Sequence, residues 1–588
     1  MTSLGTYVDQ SGGASAGGGG GGEHQTGGPL EERGRSIGMA VFGVSVVAYV
    51  FLCLSVLRHT TFWLLGYVAD DAFYYLQIAR HLAANGHSTF DGLNPTNGYH
   101  PGWMLLMTGL ARLVPGQVTL LKASLGLEFG SHLATSLVLI PVVRRLAGPF
   151  WAWLVAAAWL LNPLPFLLAL FGVEAPFAQF TVAVAVWVYL IRLVPFLRPG
   201  VDFRPPTSGL VLFGLSLAFA FYGRTDQALL AVTALVMLPG LIRAWTAPGR
   251  RASAAVRMLL CVGGPFILAI LPWYAFSYAS CGTVSQDSGA IKMLWHVRNI
   301  SGWNIHTLVL APLRFVAFSW LASPFFALLT GTFPAGAATA GASLLLLLLS
   351  VGALWRVARS SPAGSMPHPG GVTPLIVLTA WLGSAYLLSG LLYGVLLGDS
   401  QLWHLAIPSL TLFVLLAGWA AHLAHRRLAP SAQTRLGLAL LAAALGVCVW
   451  HRVQMTPPYP WQRDVYTSQP RFEALVPAAA RIGCFDAGIP AYFSPRTVIN
   501  LDGLVNHTAV PYWKAGALNK YVAAQGIRYI ANEPAAVAHA QAFTTTPIPL
   551  ALVATVPLRG WPTGRRCLWK VGAGKREARA APRSSGGP

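Results

Sequence analysis

Apolar residues run along this chain in blocks of about 20, the length that carries an α-helix across a hydrocarbon layer. The blocks fall near residues 37–57, 118–143, 149–170, 174–194, 208–223, 226–245, 258–279, 334–355, 372–397, 402–424 and 434–451. They predict an all-α polytopic membrane protein with about eleven transmembrane helices. Residues 101–114 are too short to cross and precede Pro115-Gly116, so they read as a surface helix or as part of the second span. The segment 306–330, around the mixed sequence IHTLVLAPLRFVAFSW, reads as a re-entrant or interfacial pair of helices.

After about Met455 the pattern changes. AARIGCFDAG, TVINLDG, GIRYIAN and RCLWKVG have β-strand character, and GALNKYVAAQ between them has helical character. Residues 453–573 are therefore expected to form a small α/β domain behind a membrane domain at 37–452. Residues 1–36 are a Gly-rich tail and residues 574–588 a second polar tail, both expected to be disordered.

Composition excludes a soluble protein, since 55% of the 588 residues are hydrophobic and 10% charged. The net charge of +21 does not indicate nucleic acid, because the arginines sit between the spans and in the tails. Their placement reports topology instead. Arg33 and Arg35, Arg144 and Arg145, Arg192 and Arg198, Arg250 and Arg251, Arg356 and Arg359, and Arg426 and Arg427 are expected on the cytoplasmic side. The N-terminus is then cytoplasmic, the loop at 58–103 and the C-terminal domain lie outside, and 306–330 does not cross. The first apolar block, flanked by Arg33, Arg35 and Arg58, is too long for a signal-peptide core and reads as a retained anchor.

The six cysteines show no metal-ligand spacing. Cys53, Cys261 and Cys448 lie in apolar blocks, and Cys281 ends one. Cys484 and Cys567 fall in the C-terminal domain, where they either pair or stay as buried thiols.

The most informative polar segment is the first outer loop, YVADDAFYYLQIARHLAANGHSTFDGLNPTNGYHPGW. Asp70 and Asp71 open a helix whose Tyr75, Ile78 and Leu82 form one stripe, with Gly86 at its C-terminal stop. One aspartate suffices to cap a helix. A second beside it repels the first and raises a pKa, an arrangement suited to proton abstraction or to a divalent cation such as Mg or Mn. His100, at the exit before Pro101, can meet a lipid phosphate when protonated, or simply hydrogen-bond the loop.

Other ionisable groups gather at span ends on the same expected outer face. Glu174 lies in LFGVEAPF without a nearby cation in sequence, whereas Asp226 in YGRTDQALL has Arg224 as a local partner. Glu128 and His132 are spaced i, i+4 within one span and are expected to pair. Lys292 in GTVSQDSGAIKMLWHVRN and His404 in LLGDSQLWHLAIP stand at outer mouths, as anion ligands or as interfacial anchors.

These residues together resemble the GT-C superfamily of polytopic glycosyltransferases, in particular a bacterial branch dependent on polyprenyl-phosphate sugars. The likeness rests on Asp70–Tyr74, Phe90–Gly92 and Thr96–Trp103, and continues through GVEAP, GRTD, SGAIK and VINLDGLVNH. Gly102 stands where a Leu is common, and His404 where an Arg or Tyr is expected. The resemblance implies transfer of a sugar from a polyprenyl-phosphate donor to an envelope acceptor on the outer face of the bacterial plasma membrane. It implies Asp70 or Asp71 as the acid near the acceptor hydroxyl. Tyr74, Asn97, His100, Glu174, Arg224, Asp226, Lys292 and His404 are the expected substrate-binding groups. Two rival classes are a lipid transporter or flippase and an inactive envelope-assembly scaffold. Convergence of the acids, His100 and Lys292 on one cavity separates a reaction site from these.

Overall fold

A computed structural model describes residues 29–196, 205–299, 372–397, 401–439, 442, 446, 457–560 and 564–572. The expected segments 306–330 and 334–355, Cys448 and most of the block at 434–451 lie outside the described residues, as do residues 1–28 and 574–588; residues 29–36, expected as disordered tail, are helical instead.

Among its described residues the membrane part is mainly helical. Its elements are α1 (Pro29–Leu57), α2 (Thr61–Leu64), α3 (Asp70–Asn85), α4 (Pro101–Leu113), α5 (Gln117–Ala147), α6 (Pro149–Leu160), α7 (Pro163–Leu170) and α8 (Ala175–Arg192). There follow α9 (Thr207–Gly223), α10 (Ala228–Trp245), α11 (Arg251–Met258), α12 (Gly264–Cys281), α13 (Asp287–Asn299), α14 (Val372–Leu391) and α15 (Ala406–Arg427). Among the described residues five helices are long and apolar enough to cross a membrane, or six when one bent pair counts as a span. That pair is α6 and α7, which the continuous apolar block at 149–170 does not foretell. They meet at 44°. Pro163 has no N–H to continue the ladder, and the Asn162 side chain accepts instead from the Leu164 N–H at 3.1 Å.

The polar first loop folds as its pattern predicts. α3 ends at Gly86, whose φ of 72° closes the helix in the left-handed region. α4 is a separate short helix, cut from α5 at Gly116.

The C-terminal domain is a five-stranded sheet in the order β2-β1-β3-β5-β4, from β1 (Arg481–Cys484), β2 (Val498–Asn500), β3 (Ile527–Asn532), β4 (Leu550–Pro557) and β5 (Arg565–Val571). β1, β2 and β3 run parallel; β4 and β5 close one edge as an antiparallel pair. Its helices are α16 (Gln462–Leu475), α17 (Gly488–Phe493), α18 (Val510–Lys514), α19 (Leu518–Ala524) and α20 (Pro534–Phe543). One apolar core runs unbroken from the spans through α3 into this domain. Cys484 and Cys567 are free thiols, on β1 and β5 with β3 between them. The Cys484 thiol donates to the Ala531 carbonyl at 3.0 Å, which settles the alternatives in favour of buried thiols.

Candidate active site

The carboxyl ends of β1 and β2 rest on the N-terminal turn of α3. Open parallel sheets present their ligands and partners at this edge. Tyr74, one turn into α3, anchors the joint. Its hydroxyl donates toward the Phe485 carbonyl at 3.2 Å and Asp502 at 3.3 Å, and accepts the Ala487 N–H at 3.2 Å.

Asp70 turns into the same joint. Its two carboxylate oxygens accept the N–H groups of Gly488 and Ile489, each at 2.8 Å, and so cap α17 from a helix 418 residues away in sequence. Gly488 is required there, because a Cβ would stand 2.2 Å from the Asp70 carbonyl oxygen. Burial pushes the Asp70 carboxyl up to about 7; Asp486 adds to the rise, and the two backbone N–H groups oppose it.

Asp71, the next residue, faces the other way. It lines a cavity of about 550 Å³ together with Tyr74, Tyr75, His100, Glu174, Arg224, Lys292, Trp403 and His404. Leu504 and Val505 of the C-terminal domain complete the wall. Of the groups singled out in the sequence, Asp71, Tyr74, His100, Glu174, Arg224, Lys292 and His404 share this cavity. Asp70, Asn97 and Asp226 stand behind its walls.

One wall of the cavity is part of a buried ion cluster. The Arg224 guanidinium donates to Glu174, to both oxygens of Asp226 at 3.3 and 3.4 Å, and to the Tyr393 hydroxyl at 2.7 Å. Tyr393 in turn donates to Asp226. Glu174, without a cation in its own segment, therefore takes one from the end of α9. The cluster ties α8, α9 and the chain after α14 together, and removing one partner of such a set leaves charge buried and uncompensated, at about 3–5 kcal/mol.

His100 is the N-cap residue of α4. Its Nδ1 accepts the Thr225 N–H at 3.2 Å, so the proton of the neutral ring sits on Nε2, 3.5 Å from Glu174. Desolvation lowers its pKa to about 4 although Glu174 pulls the other way. In its neutral form the ring is a hydrogen-bond donor at Nε2 toward Glu174. The departure at Gly102 also has a cause: a Cβ there would lie 2.5 Å from the Tyr222 carbonyl oxygen. His404 stacks on Tyr393 with ring centroids 4.4 Å apart.

Asn97 is fully used inside the protein. Its amide donates to Ser277 at 2.6 Å and the Ser285 carbonyl at 2.9 Å, and its oxygen accepts the Asp287 N–H at 3.0 Å. The expected Glu128–His132 pair does not form. His132 turns its Nε2 to the Trp159 carbonyl at 3.2 Å, a partner on the neighbouring α6 that i, i+4 spacing does not reveal. Tyr393, Tyr75, Trp403 and Gln286 were not legible in the sequence. Tyr393 sits in the plain apolar run LLYGVLL, where only its hydroxyl hints at a role.

Both Asp70 oxygens already accept backbone N–H groups, which leaves one lone pair on each for any cation shared with Asp71.

Residues 466–569 match a family described as a domain of unknown function, DUF8728, which coincides with the C-terminal sheet domain. No curated protein sequence matches the chain. Among solved structures the chain is similar to ArnT from Cupriavidus metallidurans, in the apo state and bound to undecaprenyl phosphate. Identities are 16% and 17% and TM-scores 0.40 and 0.41, over 89% of this chain and 98% and 97% of those. It is also similar to the archaeal oligosaccharyltransferase AglB from Archaeoglobus fulgidus, in complex with an inhibitory peptide and a dolichol-phosphate. That alignment has 11% identity and a TM-score of 0.48, over 90% of this chain and 74% of the other.

Proposed function

We propose that the chain is a GT-C-type membrane glycosyltransferase that moves a sugar from a polyprenyl-phosphate donor to an envelope acceptor outside the bacterial plasma membrane. The observation that carries this reading is the shared cavity, in which the first-loop carboxylate Asp71 meets Arg224 and Lys292. A transferase of this kind needs a base for the acceptor and positive charge for the departing phosphate.

Asp71 takes the proton of the acceptor hydroxyl as its oxygen attacks the anomeric carbon. The bond from that carbon to the phosphate oxygen breaks, and the electron pair leaves on the polyprenyl phosphate. Lys292 stabilises that charge, and Arg224, held by Glu174 and Asp226, fixes the wall around it; His100 and His404 supply ring groups beside it. Attack and departure on opposite faces of the sugar invert the anomeric centre, as in other single displacements at such carbons. Asp70 holds the C-terminal domain in place, and Leu504 and Val505 shape the acceptor entrance.

The test is transfer in membranes at matched expression. Asp71→Asn is expected to lower turnover by about 10²–10⁴, the usual worth of a general base, with insertion and donor binding retained. Near-normal turnover in Asp71→Asn removes Asp71 as the base. Mass spectrometry of envelope glycans and polyprenyl-phosphate sugars in a deletion strain identifies donor and acceptor; an unchanged profile counts against the transferase reading as a whole.

A further inference from the structure

A second cluster of chemistry-bearing side chains lies outside the ion network and the Asp71 wall. Cys281 is the last residue of α12, Asp287 the first of α13, and His507 follows β2 in the C-terminal domain, 220 residues beyond Asp287. Each offers one ligand atom, and these atoms lie within 4.8 Å of one another. We infer that Cys281, Asp287 and His507 bind a Zn²⁺-class divalent cation that fastens α13 to the C-terminal domain.

The donor set selects the metal. One thiolate, one imidazole and one carboxylate suit Zn²⁺, whereas Mg²⁺ and Ca²⁺ favour oxygen alone. Three protein ligands leave a fourth position for water. It has a way in past His507, whose side chain is 24% exposed while that of Asp287 is 2% exposed. In the cation's absence the His507 ring meets Asp287 at 2.7 Å as an ordinary hydrogen-bonded pair. That pairing gives the buried Cys281 sulfur no work, since it has no hydrogen-bond partner among the described residues.

The surroundings are built as metal sites are, with outer partners orienting the ligands. Asn97 accepts the Asp287 N–H at 3.0 Å and directs its own N–H to Asp287 Oδ2 at 3.4 Å. The Asn97 amide is itself fixed by Ser277 and the Ser285 carbonyl. The His507 backbone N–H donates to the Pro95 carbonyl at 2.9 Å. Segment 95–97 of the first loop thus positions two of the three ligands. Binding would release the Cys281 thiol proton to solvent as the metal–sulfur bond forms. The cation would lock Lys292 on α13 and Leu504 and Val505 before His507 into one frame. Its role is positional, and it stands apart from any cation at Asp70 or Asp71.

The experiment uses the full-length protein in detergent, stripped with chelator, reloaded with Zn²⁺ or Co²⁺ and desalted. Wild type is expected to retain about one Zn²⁺ per chain by elemental analysis, with three protein ligands as in open tetrahedral sites. Its Co²⁺ form is expected to show a thiolate-to-cobalt charge-transfer band. Cys281→Ser should abolish that band, and Asn97→Ala should weaken metal affinity roughly 10–100-fold, as loss of an outer partner does. Asp71→Asn should keep both metal and band, which separates this site from the proposed transfer chemistry. A wild-type protein without the band overturns the inference and leaves Asp287–His507 as a hydrogen-bonded pair only. A band that survives Cys281→Ser overturns it equally.

Discussion

Two adjacent aspartates divide into two jobs because consecutive residues of a helix project about 100° apart. Asp71 faces the cavity, and Asp70 faces the backbone of α17. That an acid pair opens α3 was legible in the sequence; which acid faces which way was not, since the deciding partners are Gly488 and Ile489, far along the chain. Asp70→Asn keeps one acceptor oxygen of two, so one buried N–H loses its partner at about 1–3 kcal/mol. The variant should insert normally yet release the C-terminal domain more readily, read as faster limited proteolysis near residue 455. The pH dependence has a definite sign. The Asp70 carboxyl sits at about 7 in the folded chain, above its ordinary value near 3.8. The folded state therefore binds the extra proton, and this contribution to stability is complete below about 4 and lost as pH rises through about 7. Denaturation midpoints measured from pH 5 to 8 should fall in wild type, and the part of that fall due to this site should vanish in Asp70→Asn. A slope unchanged by the substitution would falsify the assignment.

At the scale of elements, periodicity found what local burial dictates and missed what distant partners dictate. α3, its Gly86 stop and strands β1, β2, β3 and β5 follow from their own segments. β4 escaped notice because it is an edge strand whose residues are mostly exposed or half-buried, so no clean alternation marks it. The bend between α6 and α7 was signalled by Asn162-Pro163 but hidden within unbroken hydropathy. The Glu174–Arg224 contact joins residues 50 apart, and no spacing rule reaches that far. The contact of α3 with α17 is the most exacting of these. Gly488→Ala would place a Cβ 2.2 Å from the Asp70 carbonyl oxygen and 2.7 Å from its Cγ, so backbone must move. The expected outcome is loss of domain docking with the spans intact. Crosslinking between cysteines introduced at Gln117 and Phe493, on the two sides of this contact, should succeed in wild-type background and fail beside Gly488→Ala.

For the whole molecule, the arginine placement and the position of the sheet domain make one topological forecast. Reporters fused after Arg145, Arg251 and Arg427 should read cytoplasm, and one after Gln462 the exterior. A cytoplasmic reading at Gln462 would turn the segment at 306–330 into a true crossing. The order in which the cavity is assembled carries a further consequence. Asp71 emerges early in synthesis, whereas Leu504, Val505 and His507 emerge among the last segments. A ribosome that has finished the described spans has still made only an open half-site. The part of the cavity wall formed by Leu504 and Val505 arrives only with the domain that Asp70 clasps, so a prematurely stopped chain lacks it.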